Sequence, residues 1–426
     1  MNAYYHALKE KIEAVDIVDT HEHQVEEKDR LGMELDFGVL INVYANCTLM
    51  SAGMQLHDME FIIGEGNDPA EKWKRLKPFW EAVRHTDYMR AYLLSMKAAY
   101  GIGELNEENC KQLSCRIKEG NKPGIVKRLV KETAGVERCI VNAVKEDEIF
   151  RTETDTEIFD QEIGFGILFS PDKFPKETLP SQTGISLNSM SDLCKSIDWY
   201  LEQFSERAVS IKIQSAYSRP LFFDQPDSEN ADKAFSRFLS DPDSVSSGEI
   251  FTFQNYMMHH IIQRSIDFQL PLRLHTGYLT GWDYMELPTV NPVLLTNILK
   301  KYPEARFSLF HIGYPYQDEM AAMVKHFSNV YADMCWSWIV DYEASRGFLK
   351  QALHAAPCSK IFGFGGDYLM ADNIAGHAMI ARQGIATVLS EMHEEGFLTE
   401  KDAEKLAIML LRENAIRFFG LEEKSA

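Results

Sequence analysis

Two histidines separated by a single residue, His21 and His23, follow a short apolar run of the chain that begins at Val15. Side chains alternate between the two faces of an extended strand, so both imidazoles project from the same face. Neutral imidazoles bind zinc and other divalent transition metals. The pair therefore indicates a metal site at the end of a buried strand, although a His-x-His pattern also occurs by chance in chains of this length.

Ionisable residues also stand at the ends of four further apolar runs: Lys212, His275, His311 and Asp367. Each has an ordinary explanation, because Lys212 could lie at the surface, His275 could be a hydrogen-bonded core residue, and Asp367 could cap a turn. Unrelated roles for all of these ionisable residues are less plausible than one functional site that they share. If the strands are parallel, these ends meet at one mouth of the fold, where barrel enzymes carry out their chemistry.

The order of the predicted elements favours parallel strands. The predicted strands cover residues 15–18, 136–143, 163–169, 208–213, 270–274, 306–310, 330–334 and 360–364. Helical patterns alternate with them, which implies right-handed crossovers between parallel strands. No Gly-x-Gly-x-x-Gly turn follows any strand, which disfavours a doubly wound dinucleotide-binding sheet. We therefore predict an α/β fold, a (β/α)8 TIM barrel.

Residues 24–120 interrupt this alternation and are too many for a loop. Helical periodicity and aromatic residues predict a mostly helical insertion after strand one, with the barrel formed by residues 1–23 and 121–426. The regular spacing of its aromatic residues favours a packed helix face. The alternative is a lid that presents Trp80 or Arg84 to a substrate.

Aromatic and basic residues just beyond the strand ends are candidates for substrate contacts: Tyr217, Arg219, Tyr278 and Trp336. Arg219 could form a fork-like contact with a carboxylate or phosphate, or pair with an acidic neighbour. Trp336 and Trp338 share a face if the backbone is extended, so they either line the pocket or pack beneath it.

These motifs resemble those of the amidohydrolase superfamily, the metal-dependent barrel hydrolases. The resemblance runs through Val18–His23, Leu272–Gly277, Leu309–Gly313, Phe364–Asp367 and Glu413–Gly420. It covers about residues 10–25 and 135–420, and leaves out the helical insertion.

A long helical insertion after strand one also resembles the uronate isomerases, a branch of the same superfamily. The Asp-x-Arg pattern of that branch after strand eight is missing, because Tyr368 and Leu369 follow Asp367.

The resemblance implies roles for the residues at the strand ends. His21, His23 and Asp367 would be metal ligands, and His275 would be a further one. His311 would bind a second metal or polarise the substrate. In two-metal members a lysine at the position of Lys212 is carboxylated and bridges the metals, whereas in one-metal members the residue is free to bind substrate.

The implied chemistry is hydrolysis of a C–N, C–O or P–O bond in a small polar or acidic substrate. A bound divalent metal lowers the pKa of its water to about 7, and Asp367 would accept and later deliver the proton. The nitrogen-rich ligand set favours zinc, with manganese as the alternative. Isomerisation of a uronate or decarboxylation on the same barrel is the rival reaction, and a non-catalytic binding protein is the third possibility.

The composition limits the classes of binding partner and the cellular compartment that we expect. The 426 residues carry a formal net charge of −20, which disfavours nucleic acids and anionic membranes. The seven cysteines form no Cys-x-x-Cys pair, as expected of reduced thiols. Without a recognisable signal peptide or membrane span, we expect a cytoplasmic enzyme that acts on a small molecule, with a homo-oligomer left open.

Overall fold

Eight parallel strands form the barrel in a computed structural model, which describes residues 3–42, 44–143, 148–151, 155–281 and 285–421. Each strand pairs with the next along the chain. The strands are β1 (Ile17–Glu22), β2 (Val136–Val141), β3 (Phe159–Gly164), β4 (Ala208–Ile213), β5 (Leu272–Leu274), β6 (Phe307–Leu309), β7 (Val330–Asp333) and β8 (Ile361–Phe362). The predicted TIM barrel is therefore confirmed.

Helices surround the barrel and fill the long segment between β1 and β2. They are α1 (Ala3–Glu13), α2 (Glu27–Arg30), α3 (Phe37–Ile41), α4 (Ala45–Ser51), α5 (Leu56–Ile63), α6 (Pro69–Val83), α7 (Asp87–Tyr100), α8 (Glu107–Gly120), α9 (Ile125–Lys127), α10 (Thr178–Thr183), α11 (Met190–Phe204), α12 (Ser228–Ser240), α13 (Ser247–Asp267), α14 (Thr296–Lys301), α15 (Gln317–His326), α16 (Ser337–Val340), α17 (Tyr342–Ala355), α18 (Ile374–Glu394), α19 (Glu400–Ile408) and α20 (Asn414–Phe419). In the described parts of the chain, none is both long enough and apolar enough to cross a membrane.

The strands are buried on both faces, as parallel barrel strands must be. Every residue of β1, β3 and β4 is buried, because helices cover the outside and side chains fill the inside. The backbone also joins the last strand to the first. Thr20 N donates to Phe364 O over 3.2 Å, and Asp367 N donates to His21 O over 2.8 Å.

The helices α3–α8 lie between β1 and β2 and pack around a hydrophobic cluster of their own. Trp73 and Trp80 are buried in that cluster, with their rings edge to face. Arg84 lies on the outside and pairs with Glu81. These contacts match a packed helix face, the favoured interpretation of the aromatic spacing.

One predicted segment was wrong. The third strand covers Phe159–Gly164, and the predicted run 163–169 continues as a 3-10 helix, Phe165–Phe169. The apolar run suggested a strand, but the true strand contains buried polar residues whose partners come from other strands.

A buried ion pair fastens the helical segment to the loop after β8. Arg30 Nη2 donates to both carboxylate oxygens of Asp372 over 2.9 and 3.0 Å, and the Tyr100 hydroxyl donates to the same carboxylate. The side chains of Arg30 and Asp372 are 1% and 0% exposed. Loss of one partner would leave the other charge buried without compensation.

We predict that Asp372→Asn lowers the free energy of unfolding by about 3 kcal/mol, because it removes one charge of this buried pair. Urea denaturation followed by circular dichroism measures the change. The matched control is Glu229→Gln, which breaks the exposed pair with Lys233 and should cost less than about 1 kcal/mol. Equal losses in the two variants would contradict the prediction.

Candidate metal centre

The end of β1 and the loop after β8 bring three predicted ligands together. The Nε2 atoms of His21 and His23 lie 3.1 Å apart. Asp367 Oδ1 lies 3.4 Å from His21 Nε2 and 3.3 Å from His23 Nε2. One donor atom from each residue lies within 4.8 Å of the others, so that all three could coordinate a single metal ion.

His275 and His311 extend this cluster from β5 and β6. His311 Nε2 lies 3.2 Å from His275 Nδ1 and 3.8 Å from Asp367 Oδ2. The other nitrogens contact backbone carbonyls, His311 Nδ1 that of Cys335 at 2.8 Å and His275 Nε2 that of Tyr278 at 2.9 Å. A carbonyl only accepts, so each of these nitrogens carries the proton. Two lone pairs therefore face each other, an arrangement that a cation or a shared proton would stabilise.

His21 is oriented in the same way by a carboxylate. Its Nδ1 lies 3.1 Å from Glu162 Oε2, which turns Nε2 towards His23 and Asp367. Metal-binding histidines commonly face a carboxylate through their other nitrogen. The donor set of two imidazole nitrogens and a carboxylate thus fits a divalent ion such as zinc.

Burial favours the neutral form of His21, His275 and His311, as ligation requires. It lowers the pKa of His21 and His275 well below the usual value, and it lowers the pKa of His311 to about 4. Burial alone would raise the pKa of Asp367, but the hydrogen bond from His23 and the neighbouring imidazoles hold it below the usual range. The centre therefore combines neutral nitrogen donors with an ionised carboxylate at pH 7.

Lys212, on β4, is fully buried beside the cluster. Its Nζ lies 3.1 Å above the centre of the Phe310 ring, and that ring lies 4.9 Å from the ring of His21. Among the described residues, Nζ has no hydrogen-bond partner. Burial lowers the pKa of Lys212 to about 8, so about nine-tenths of the side chains are ammonium at pH 7.

A cavity of about 730 Å³ opens above the cluster and is lined by His23, His275 and Asp367. Tyr217 lines it too, with its ring 4.8 Å from that of His275. Tyr44 reaches it from the helical segment, and its hydroxyl donates to the backbone carbonyl of Asp367. The helices after β1 thus supply a wall of the cavity.

Trp336 packs behind the cluster and is fully buried. Its ring meets His311 edge to face at 5.1 Å and stacks on Tyr44 at 4.7 Å. Tyr278 lies at the border of this group, with its ring 5.8 Å from Trp336. These two predicted substrate residues support the walls of the site.

Arg219 and Trp338 lie elsewhere. The Arg219 guanidinium donates to the carbonyl of Phe222 at 2.7 Å and to Asn255 Oδ1 at 2.8 Å, and Arg219 is not among the described residues that line the cavity. The structure therefore does not bring it to the site as predicted. Trp338 Nε1 donates to the carbonyl of Gly363 at 2.8 Å, so this ring packs in the core.

Sequence reasoning missed Glu162, Tyr44 and Gln214. Gln214 lines the cavity with its Nε2 3.4 Å from His23 Nε2, and it follows β4 directly. Its position one residue beyond a strand is the signal that could have found it. Glu162 would have been found with the third strand placed correctly, whereas nothing local marks Tyr44.

Known proteins resemble this chain at three levels. Residues 198–421 match the family model described as amidohydrolase. A stretch of 155 residues is 26% identical to Protein fluG of Emericella nidulans, and it covers 36% of this chain but only 18% of that protein.

Two solved structures share the fold over nearly the whole length. The uronate isomerase of Thermotoga maritima has a TM-score of 0.79 at 16% identity and covers 98% of each chain. The glucuronate isomerase of Caulobacter crescentus has a TM-score of 0.78 at 15% identity, over 99% of this chain and 94% of the other. Identities this low establish likeness of fold alone.

We predict that the double variant His21→Ala/His23→Ala loses its bound metal but stays folded, because the barrel core lies apart from the mouth. Elemental analysis of the purified protein measures the metal, and circular dichroism the fold. His57→Ala is the control, since this histidine is 73% exposed in the helical segment. Unchanged metal content in the double variant would refute the assignment.

We predict one metal ion per chain at pH 7, with or without bicarbonate. The Nζ of Lys212 lies against the Phe310 ring and bonds to none of the candidate ligands among the described residues, so it is not placed to bridge two ions. The measurement is metal stoichiometry after reconstitution in both buffers, with Lys212→Ala alongside. Nearly two ions per chain, falling to one in the variant, would instead mean that Lys212 is carboxylated and bridges two metals.

Proposed function

The chain belongs to the amidohydrolase family, and on that premise we propose that it is a metal-dependent isomerase that interconverts the aldose and ketose forms of a uronate or related sugar acid. The observation that carries the proposal is the likeness to two uronate-type isomerases along the whole chain, including the helices between β1 and β2. Those helices contribute Tyr44 to the cavity wall.

His21, His23 and Asp367 would hold the metal. A divalent ion bound there would polarise a substrate oxygen and lower the pKa of a bound water. Asp367 stays ionised beside it, and the Nε2 atoms of His21 and His23 lie within 3.4 Å of its carboxylate.

Aldose–ketose isomerisation moves a proton between two adjacent carbons. A base within hydrogen-bond reach of both carbons must take the proton from C2 and return it to C1, while the proton of the C2 hydroxyl passes to the C1 oxygen. His275 and His311 present two lone pairs 3.2 Å apart, so a proton accepted by one can be shared with the other before its return. The Lys212 ammonium, buried beside them, supplies positive charge opposite the enediolate oxygen.

The cavity supplies groups suited to sugar hydroxyls. Asn142 Oδ1 lines it, is buried, and has no hydrogen-bond partner among the described residues. Gln214 and Tyr217 add an amide and a phenol on the β4 side. A volume of about 730 Å³ is ample for one monosaccharide.

A second candidate is hydrolysis of a neutral polar substrate by the same centre. It is favoured by Leu369, which stands where the Asp-x-Arg pattern of uronate isomerases would place an arginine. Among the described residues that line the cavity, Lys173 is the one lysine or arginine. A site for a carboxylate-bearing substrate would be expected to contain more positive charge. In that reaction Asp367 would accept a proton from the attacking water and deliver it to the leaving group.

Deuterium labelling separates the two reactions. We expect the zinc-loaded protein to convert D-glucuronate or D-galacturonate to its ketose in D2O, with deuterium entering at the carbon that exchanges its proton, as followed by NMR. His311→Asn should lower kcat about 10²- to 10⁴-fold, the usual contribution of a general base. Wild-type protein without substrate and the variant with substrate are the controls.

The same preparation is then offered sugar lactones and amides. Hydrolysis of these compounds, with neither ketose formation nor deuterium exchange from uronates, would replace the isomerase proposal with the hydrolase.

A further inference from the structure

A chain of ionised side chains crosses the barrel interior beneath the metal centre. Glu162 comes from β3, Arg273 from β5 and Asp333 from β7, and all three side chains are 0% exposed. Arg273 Nη1 donates to Glu162 Oε1, and Nη2 donates to Asp333 Oδ2 over 2.8 Å. Alternate strands of a TIM barrel contribute side chains to one interior layer, which explains why odd-numbered strands supply this group.

The two carboxylates at the ends of this chain have different surroundings. Asp333 Oδ1 accepts from Thr20 Oγ1 and from the backbone nitrogen of Cys335, both at 2.9 Å. Both of its oxygens are therefore engaged within the barrel. At the other end, Glu162 Oε1 accepts from Ser210 Oγ at 2.9 Å as well as from Arg273. Its second oxygen, Oε2, lies 3.1 Å from His21 Nδ1, which is within ion-pair distance although the two groups are not aligned for a hydrogen bond.

We propose that Glu162 is a positioning residue that sets the tautomer and ring orientation of His21 for metal binding. The negative charge of the carboxylate close to Nδ1 favours the proton on this nitrogen and the lone pair on Nε2, the atom that faces His23 and Asp367. The inference rests on the proposed metal centre and extends it to a residue that does not touch the ion.

Arg273 and Ser210 give Glu162 the rigidity that this role needs. Their bonds to Oε1 come from two different strands, so rotation of the carboxylate would break one of them. The guanidinium also compensates the buried negative charge, whose desolvation would otherwise be costly. Oε2 is thus held at a fixed place under the imidazole.

The test compares Glu162→Gln with Asp333→Asn. Asp333 belongs to the same layer and pairs with the same arginine, but its carboxylate does not face a candidate metal ligand. Zinc affinity is measured on metal-free protein by competition with a chromophoric chelator, and stability by thermal unfolding of the same samples. We expect Glu162→Gln to weaken zinc binding about 10- to 100-fold, the effect typical of lost outer-shell partners. Asp333→Asn should lower the melting temperature and keep the wild-type affinity.

A second variant tests the same role in case Glu162→Gln misfolds. Glu162→Asp keeps the charge beside Arg273 but withdraws the carboxylate from His21 by one methylene, so it should also weaken zinc binding. The visible spectrum of the cobalt-substituted protein should change in both Glu162 variants and stay constant in Asp333→Asn, since it reports ligand geometry.

Wild-type affinity in both Glu162 variants, or equal losses in the Glu162 and Asp333 variants, would overturn the inference while leaving the metal centre intact. Failure of the wild-type protein to bind zinc would instead remove the proposed metal centre, and the positioning role with it.

Discussion

The backbone bonds that join the loop after β8 to β1 are the constraint on which the site depends. Asp367 N donates to His21 O, and Thr20 N donates to Phe364 O. These bonds close the barrel, and they place residues from opposite ends of the chain side by side. His21, His23 and Asp367 could not share an ion if the sheet stayed open at this edge. The closure of the fold and the assembly of the candidate ligands are therefore the same event.

The mouth of the barrel is also where the backbone is strained. His311, Trp336 and Asp367 have φ values of 60°, 61° and 66°, a region that residues other than glycine rarely adopt. Each such residue costs about 1–3 kcal/mol and persists only where its surroundings hold it. Asp367 is held through its nitrogen by β1 and through its carbonyl by Tyr44 of the helical segment. The helices outside the barrel thus help to keep a candidate ligand in an unfavourable conformation.

The sequence predicted the parts of the site that a strand end determines. His275 and His311 were found because an apolar run stops at each, and parallel strands carry such ends to one mouth. Glu162 was missed because it is a buried acid within β3. Its presence makes β3 less apolar than the segment that follows, so the strand was predicted too late in the sequence. Arg219 was misplaced because its partners, among them Phe222 and Asn255, are fixed by packing beyond the reach of local sequence. Tyr44 depends on how separate helices dock, which periodicity alone does not specify.

The two layers of the barrel interior differ in how completely their charges are compensated. In the lower layer Arg273 lies between Glu162 and Asp333 and forms an ion pair with each of them. In the upper layer the groups that face one another are lone pairs of His21, His275 and His311 together with the carboxylate of Asp367. Lys212 is the nearby ammonium, but its Nζ lies against the Phe310 ring and bonds to none of these acceptors. Acceptors gathered this closely repel one another, and a divalent cation among them would satisfy them at once. The lower layer contains its own cation, and the ion pairs of Arg273 across the barrel suit this layer to hold the upper one in place.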